Sequence, residues 1–555
     1  MHTALLSLAF LLAVAVSAML SRLLPAVLPR PVLQIALGAV VTLVSGQHVE
    51  LEPDVFFLLF VPPLLFVDGW RIPKDRLFKD RHAVLGLALG LVFLTVVGVG
   101  YFLHWMIPGL PLGVAFAIAA VVSPTDPIAV SSIAERVTVP KRLLTILEGE
   151  SLLNDASGLV CLRFAIAAVV TGSFSLTSAG LSFLWTALAG IGLGAALSWA
   201  IVWARGRLSA RVGEESGTAI LTMLLVPFAV YLAAEHIGAS GILAAAAAGI
   251  TMTFATARYE AQAVTRLRSH VFWQLIEFTL NGAVFVLLGA QLPRILAAAP
   301  ATAAQAGPHG VWMLLGYLAA LMGALLAIRF GWAWLSLRLT LFKARRPNHP
   351  PHGHVPISSP LRIVAAMTCA GARGAITLAG VLTLPLVLAD GSTAFPARDL
   401  AIFLAMGVIV LSLAIASLVL PSLLQGIELP TDESSSDTAK RAAHIAAAEA
   451  AIAAVESAAL NLAQQQPEQQ SNFDNVASRV IDRYRARIDA VSEESDQPIP
   501  SSASLRTEYQ LLEAGIDAER ATINRFRQQH KIDSELAADL RRELDIAALK
   551  AERPR

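Results

Sequence analysis

Up to about residue 425 the chain is a succession of apolar runs separated by short polar loops, most of them long enough to cross a lipid bilayer. A hydrocarbon core of ~30 Å takes about 20 apolar residues as a helix, with a range near 17–25. Within it every backbone N–H and C=O must find its partner inside the protein, so this pattern dictates a bundle of helices. Thirteen runs are counted, at roughly 4–24, 31–46, 53–69, 83–107, 111–134, 143–171, 178–204, 218–236, 239–257, 271–292, 311–338, 361–388 and 399–425, or twelve if one of the shorter runs is re-entrant. The first lacks the basic start of a secretory signal and is longer than its usual apolar core, so it is read as a span. The expected fold class is therefore an all-α polytopic membrane protein.

Composition is uneven along the chain. It is 55% hydrophobic and 15% charged overall, against about 25% charged in soluble domains, and the charges concentrate after residue 428. The expected division is a membrane domain over 1–427 and a cytoplasmic helical tail over 428–555. The tail's stretches 438–465, 474–493 and 504–549 read as amphipathic helices, regulatory or dimer-associated, with no chemistry of their own. Cys161 and Cys369 lie inside apolar runs and are read as packing residues.

The loops carry an independent signal. Those after odd-numbered runs hold Arg22 and Arg30, then Arg71, Lys74, Arg76, Lys79 and Arg81, and further Lys and Arg groups near 136–142, 205–211, 258–268 and 343–346. Those after even-numbered runs hold only Arg294 and, at a helix boundary, Arg398. By the positive-inside rule the N-terminus lies outside and the tail in the cytoplasm.

Thirteen runs suggest two six-span halves of opposite topology joined by the seventh, so that the fifth run corresponds to the twelfth. Both contain helix breakers, Pro124 and Pro127 in one, and Gly371, Gly374 and Pro385 in the other. Breakers at matching places of inverted halves point to a transporter's substrate site. They are otherwise simple kinks.

Ionisable residues sit at the same places. Asp155 closes Glu148-Gly-Glu-Ser-Leu-Leu-Asn-Asp155, Asp126 lies in Ser123-Pro-Thr-Asp-Pro127, and Arg373 lies in Gly371-Ala-Arg-Gly-Ala375. A carboxylate at membrane depth costs at least ~2.5–3.5 kcal/mol, so it marks a functional site by default. At 1.5 Å per residue Asp155 is roughly 18 Å into its span, near the bilayer middle. Glu148, Ser151 and Asp155 share a helix face, with Asn154 beside it. Oxygen ligands suit a hard monovalent cation, and Na⁺ at Asp126 and Asp155 is the expected occupant, helped by the Ser151 and Thr125 hydroxyls and by loose carbonyls near 123–127. Zinc or magnesium is disfavoured, because no histidine is near and a divalent cage wants more carboxylates. A carboxylate withdrawn from water takes up either a proton or a cation, and that competition enforces exchange if the empty charged site cannot cross. Arg373 keeps its proton and must be paired. Glu150 is its expected partner, leaving both aspartates free, and the alternative is a direct pairing that silences an aspartate.

Weaker signals remain open. Asp68 is either a ligand or the partner of Arg71 at the cytoplasmic edge. Arg163 either tunes the aspartates or pairs elsewhere in the bundle. Glu277 and Asn281, one turn apart, make either a gate or pH-sensing pair or a helix–helix contact. Gly238-Ala-Ser-Gly241 has the look of an intramembrane protease nucleophile, but lacks a membrane-embedded histidine on a later span and is better read as close helix packing. The histidines of 349–354 fall in a Pro-rich loop read as disordered.

Five motifs in order, Pro62-Pro-Leu-Leu-Phe66, Ser123-Pro-Thr-Asp126, Glu148–Asp155, Ser240-Gly-Ile-Leu-Ala244 and Gly371-Ala-Arg-Gly-Ala-Ile376, give residues 1–425 a resemblance to the bacterial sodium/proton exchangers of the NhaP-related monovalent cation:proton antiporter family. The resemblance implies inverted repeats, a homodimer, and a transport domain moving against a dimerisation domain. It implies that Asp155 and Asp126 carry ion and proton with Ser151 and Thr125 as ligands, that Asn154 orients the site, and that Glu150 pairs with Arg373. The Asn-Asp pair marks members regarded as electroneutral. Some relatives carry a glutamate where this chain has Val67, with its acid one place on at Asp68, so the resemblance does not extend a ligand role to the third span.

The expected function is exchange of Na⁺ (or Li⁺) for H⁺ across a bacterial inner membrane, serving pH and sodium homeostasis. A K⁺/H⁺ exchanger is the near alternative, and a cation channel a more distant one. No enzymatic activity, cofactor or nucleic-acid partner is expected.

Overall fold

The computed structural model is nearly all helical; it describes residues 2–493 except 24–28, 47–51, 72–85, 127–140, 172–175, 214, 259–262, 307–310, 345–359, 389–392, 425–432 and 466–469, and beyond 493 only Arg525 and Gln529. Pro127 with the rest of the fifth run, the histidines of 349–354 and, apart from Arg525 and Gln529, the 504–549 stretch lie outside the described residues. The chain forms two compact units, Met1–Leu429 and Pro430–Arg555.

In the first unit α1 (His2–Leu23), α2 (Arg30–Ser45) and α3 (Pro53–Arg71) are followed by a π-helical turn (Gly86–Leu91) that runs into α4 (Val92–Met106). Then come α5 (Leu112–Val122), α6 (Lys141–Thr171), α7 (Leu176–Val212), α8 (Ser216–His236), α9 (Gly241–Arg258), α10 (Ala263–Ala306), α11 (Val311–Ala344), α12 (Pro360–Cys369), α13 (Ala375–Leu382) and α14 (Arg398–Leu424). Every apolar run of the sequence contains one of these helices. Among the described residues, 8 helices are long and apolar enough to cross a membrane, and α2, α5, α12 and parts of α6 and α9 are shorter apolar helices.

Side-chain placement is that of a lipid-embedded bundle. Large apolar groups such as Leu12, Met19, Leu188, Leu225 and Trp312 face outward, while Ala115, Ala117, Ala119, Ala120 and Ala244–Ala246 fill the interior. In lipid, helices gain little from hiding leucine from its surroundings, so close packing of small residues holds them together.

The helices sort into two bundles. Bundle 1 comprises α1–α3 and α7–α10, with α2 against α10 and α9 against both α3 and α7 as its main seams. A Cβ on Gly289 would come within 1.9 Å of the Ile35 carbonyl oxygen, and one on Gly38 within 2.0 Å of the Val286 carbonyl oxygen, so the α2–α10 seam closes this tightly because both residues are glycine. Bundle 2 comprises α4–α6 and α11–α14, built on the α5–α6 and α4–α5 pairs. Contacts between the bundles, chiefly from α10 and α3 to α11, α13, α14 and α6, are sparser.

The two breaks both belong to bundle 2. Helix α5 stops at Val122 and the chain runs irregularly through Ser123–Asp126; residues 370–374 separate α12 from α13. In the second unit α15 (Glu433–Gln465) and α16 (Gln470–Glu493) pack on each other, burying Ala448 and Ile481.

Candidate ion site

The two breaks meet. The Asp126 amide donates to the Ala372 carbonyl at 2.7 Å, joining one irregular segment to the other. Interrupted helices leave carbonyls without partners, and here the Arg373 side chain answers them. Its Nε donates to the Val122 carbonyl at 3.0 Å and its Nη1 to the Gly371 carbonyl, while its backbone N–H donates to Ser412 Oγ of α14 at 3.0 Å. The guanidinium is buried and splints the crossing.

That arrangement corrects the expected Glu150–Arg373 pair. Glu150 of α6, 1% exposed, is forked by Arg329 of α11, with Nη2 to Oε2 at 3.0 Å and Nη1 to Oε1. Arg329 Nε donates to the Met367 carbonyl at 3.0 Å, near the end of α12. The physical reason is local supply: Arg373 sits inside the break, where freed carbonyls compete for it, whereas Arg329 approaches Glu150 from a neighbouring helix. A Cβ on Gly371 would stand 2.6 Å from Arg329 Nε, so the first glycine of the Gly-Ala-Arg-Gly motif makes room for this second arginine. Sequence reasoning missed Arg329, although an arginine in the apolar middle of α11 is the signal that singled out Asp155.

The pair extends into a chain of polar contacts. Thr125 Oγ1 donates to Glu150 Oε1 at 3.3 Å and accepts from Asn154 Nδ2 at 2.8 Å. Asn154 thereby ties α6 to the irregular segment beside Asp126, and the Asn154–Asp155 step aims one side chain at the scaffold and the next at the cavity.

That cavity, of about 40 Å³, is lined by Thr125, Asp126, Ser151 and Asp155 from bundle 2 and by Asp68 and Asn281 from bundle 1. It has room for a small ion with a water or two. A Cβ on Gly374 would fall 1.8 Å from Asp126 Oδ2, so the second motif glycine admits the carboxylate to the start of α13. Two oxygens at this cavity, Asn281 Oδ1 and Thr377 Oγ1, are enclosed and make no hydrogen bond among the described residues. A second cavity, of about 620 Å³, lies at the other end of α3, where Asp54, Gln291, Arg294, Arg398 and Asp399 line it. Phe56 and Phe57 are buried on the stretch of α3 between the two.

The remaining residues sort clearly. Arg71, expected to hold Asp68, bonds Glu277 of α10 instead, and Asp68 turns to the cavity. Glu277 thus makes an interhelical ion pair rather than a pair with Asn281. Arg163 reaches both Glu235 oxygens at 3.2 Å, away from the aspartates, and Glu235 Oε1 also accepts from the Gly241 amide. In Gly238-Ala-Ser-Gly241 the serine caps α9, its Oγ accepting from the Leu243 amide at 3.3 Å.

The chemistry is that of a small oxygen-lined pocket with acidic walls, crossed helix breaks and an electrostatically closed Glu–Arg pair beside it. Comparison with known proteins places it. A family model described as sodium/hydrogen exchanger, transmembrane, matches residues 7–426. An uncharacterized Na⁺/H⁺ exchanger of Escherichia coli, YjcE, is 41% identical over 544 residues, covering 96% of each chain. A sodium, potassium, lithium and rubidium/H⁺ antiporter of Bacillus subtilis is 43% identical over 413 residues, covering 74% of this chain and 60% of that one. The sodium proton antiporter MjNhaP1 of Methanocaldococcus jannaschii, solved at pH 8, shares the fold with a TM-score of 0.53 at 17% identity, covering 77% of this chain and 99% of that structure.

Proposed function

The chain belongs to the sodium/hydrogen exchanger family of membrane cation/proton exchangers, and we propose that it exchanges Na⁺, or Li⁺, for H⁺ at the Asp126–Asp155 cavity. The observation that carries this reading is the cavity itself, where two aspartates from a broken helix and its neighbour share about 40 Å³ with the Ser151 and Thr125 hydroxyls. Asp155 holds either the cation or the proton. Glu150 is spoken for by Arg329, so it keeps the frame and leaves the cargo to the aspartates.

The basic loops set the orientation: the Arg71 end of α3 faces the cytoplasm, as does the tail, and the N-terminus lies outside the plasma membrane of a bacterium. All thirteen apolar runs count as spans in this reading. The aspartate cavity then opens toward the cytoplasm, and the larger cavity toward the outside. Bundle 2 carries the site past bundle 1, which also forms the homodimer contact. One cation against one proton at a shared carboxylate leaves both loaded forms with the same charge, so exchange ignores the membrane potential; each uncompensated charge would gain about 2.3 kcal/mol per 100 mV.

Everted vesicles holding an acid interior test the proposal. Addition of Na⁺ is expected to collapse the proton gradient, and Li⁺ to do so as well; absence of any response to Na⁺, Li⁺ and K⁺ would sink it. A response to K⁺ selects the second reading, a broader exchanger. That reading is favoured by the Bacillus subtilis relative, a sodium, potassium, lithium and rubidium/H⁺ antiporter. Cation currents without proton movement would select a channel.

Gly374→Ala is expected to displace the Asp126 carboxylate and to weaken apparent Na⁺ affinity by about tenfold, the effect of losing one charge-assisted contact. Vesicle titrations against Na⁺ check this, with membrane abundance of the variant as control. Unchanged affinity would mean that Asp126 does not hold the ion from that position.

A further inference from the structure

We propose that Asn281 of α10 gives the transported cation an oxygen ligand from the opposite bundle, available only while the site faces the cytoplasmic cavity. The inference rests on the exchanger reading above and adds to it a cation-specific ligand that sits outside the moving bundle.

Three observations carry it. The Asn281 side chain lines the same cavity as Asp126, Asp155, Ser151 and Thr125, but it belongs to bundle 1. Its Oδ1 is enclosed and makes no hydrogen bond among the described residues, so no protein contact commits the amide to its present orientation. One turn earlier on the same helix Glu277 is bonded to Arg71 of α3, which pins α10 against α3 at this level and holds the amide at the cavity wall.

The chemistry follows from the group. An amide carbonyl is a hard, neutral oxygen, suited to a monovalent cation. A turn about the last side-chain bond exchanges its oxygen for its nitrogen, so the oxygen is available to the cavity. It adds no negative charge and is far too weak a base to hold the transported proton. It therefore favours the cation-loaded site over the protonated one, biasing the competition between the two cargoes. When bundle 2 moves, the aspartates leave Asn281 behind, and the site facing outside lacks that ligand. Cation affinity is then higher on the cytoplasmic face, which favours extrusion at low internal cation.

The test compares Asn281→Leu, which keeps the size and loses the oxygen, with Asn281→Asp, which keeps an oxygen. In everted vesicles, cytoplasmic face outward, Asn281→Leu is expected to raise the apparent KM for Na⁺ about tenfold, with little change in maximal rate. In proteoliposomes sorted for the opposite orientation the KM is expected to stay at the wild-type value. Na⁺-induced thermal stabilisation of the purified protein should weaken in Asn281→Leu and persist in Asn281→Asp. If Asn281→Leu does not reach the membrane, Asn281→Ser is titrated in its place. An unshifted KM, or equal shifts on both faces, overturns the proposal while normal wild-type exchange keeps the exchanger reading. Wild-type protein without cation-dependent proton movement defeats both.

Discussion

Asp155→Asn is expected to reduce Na⁺-dependent proton movement to the background of empty vesicles while the protein remains folded, inserted and at least as heat-stable as the wild type. The two halves of that expectation come from the same physics. Asparagine has the shape of aspartate, so the packing around residue 155, itself 6% exposed, has no reason to change. It lacks the charge that holds a cation and the basicity that takes up a proton, so neither cargo binds. Withdrawing a carboxylate from water without a bonded counter-charge is costly, and removing the charge relieves that cost. A functional group kept at the expense of stability gives this signature of lost activity and an undiminished melting temperature. Ser151→Ala provides the graded control, since it removes one neutral ligand and should weaken affinity about tenfold without abolishing exchange. Full exchange by Asp155→Asn would sink the cavity as the transport site. Loss of exchange together with loss of the folded protein would make Asp155 a structural residue instead.

Much of this site could be read before any coordinates, because lipid makes polar residues conspicuous. Asp126, Asp155 and Arg373 stand out against apolar neighbours, and the breakers beside two of them announce irregular backbone. The seven-residue spacing of Glu148 and Asp155 places a face, and Ser151 and Thr125 follow as its nearest hydroxyls. Pairing is different. Which arginine meets Glu150 depends on how α11 and the α12–α13 break approach α6, and spacing along one helix carries no information about that. Arg329 carries the same signal: a lone arginine within Leu326–Trp332 is as exceptional as an aspartate within Leu152–Leu159. Asp68 and Arg71, three residues apart, looked like natural partners on one helix, yet Glu277 of a neighbouring helix outcompetes that local contact. Glu235 at the end of α8 likewise takes Arg163 away from the aspartates, a contact between helices far apart in sequence.

Arg329→Met is expected to destabilise the protein by about 3–5 kcal/mol, because it strands the Glu150 carboxylate at a position where water does not reach it. Glu150→Leu should cost less, since Arg329 retains its bond to the Met367 carbonyl, but it still leaves a buried charge without its forked partner. The double variant Glu150→Leu/Arg329→Met removes both charges and replaces them with apolar groups of similar bulk. Its stability should return to the wild-type range or exceed it, as the desolvation of two ions is no longer required. Thermal melting of the four proteins in one detergent gives the coupling directly. Transport then separates frame from cargo. Thr125 loses its acceptor on Glu150 in the double variant, so Asn154 and the Ser123–Asp126 segment are held less firmly and exchange slows. It should not vanish, because Asp126, Asp155 and Ser151 all remain. A double variant as unstable as Arg329→Met alone would mean that the two charges do not act as a unit. One that is stable but wholly inactive would move Glu150 from the frame into the ion path, and the division of labour among the buried carboxylates would have to be redrawn around it.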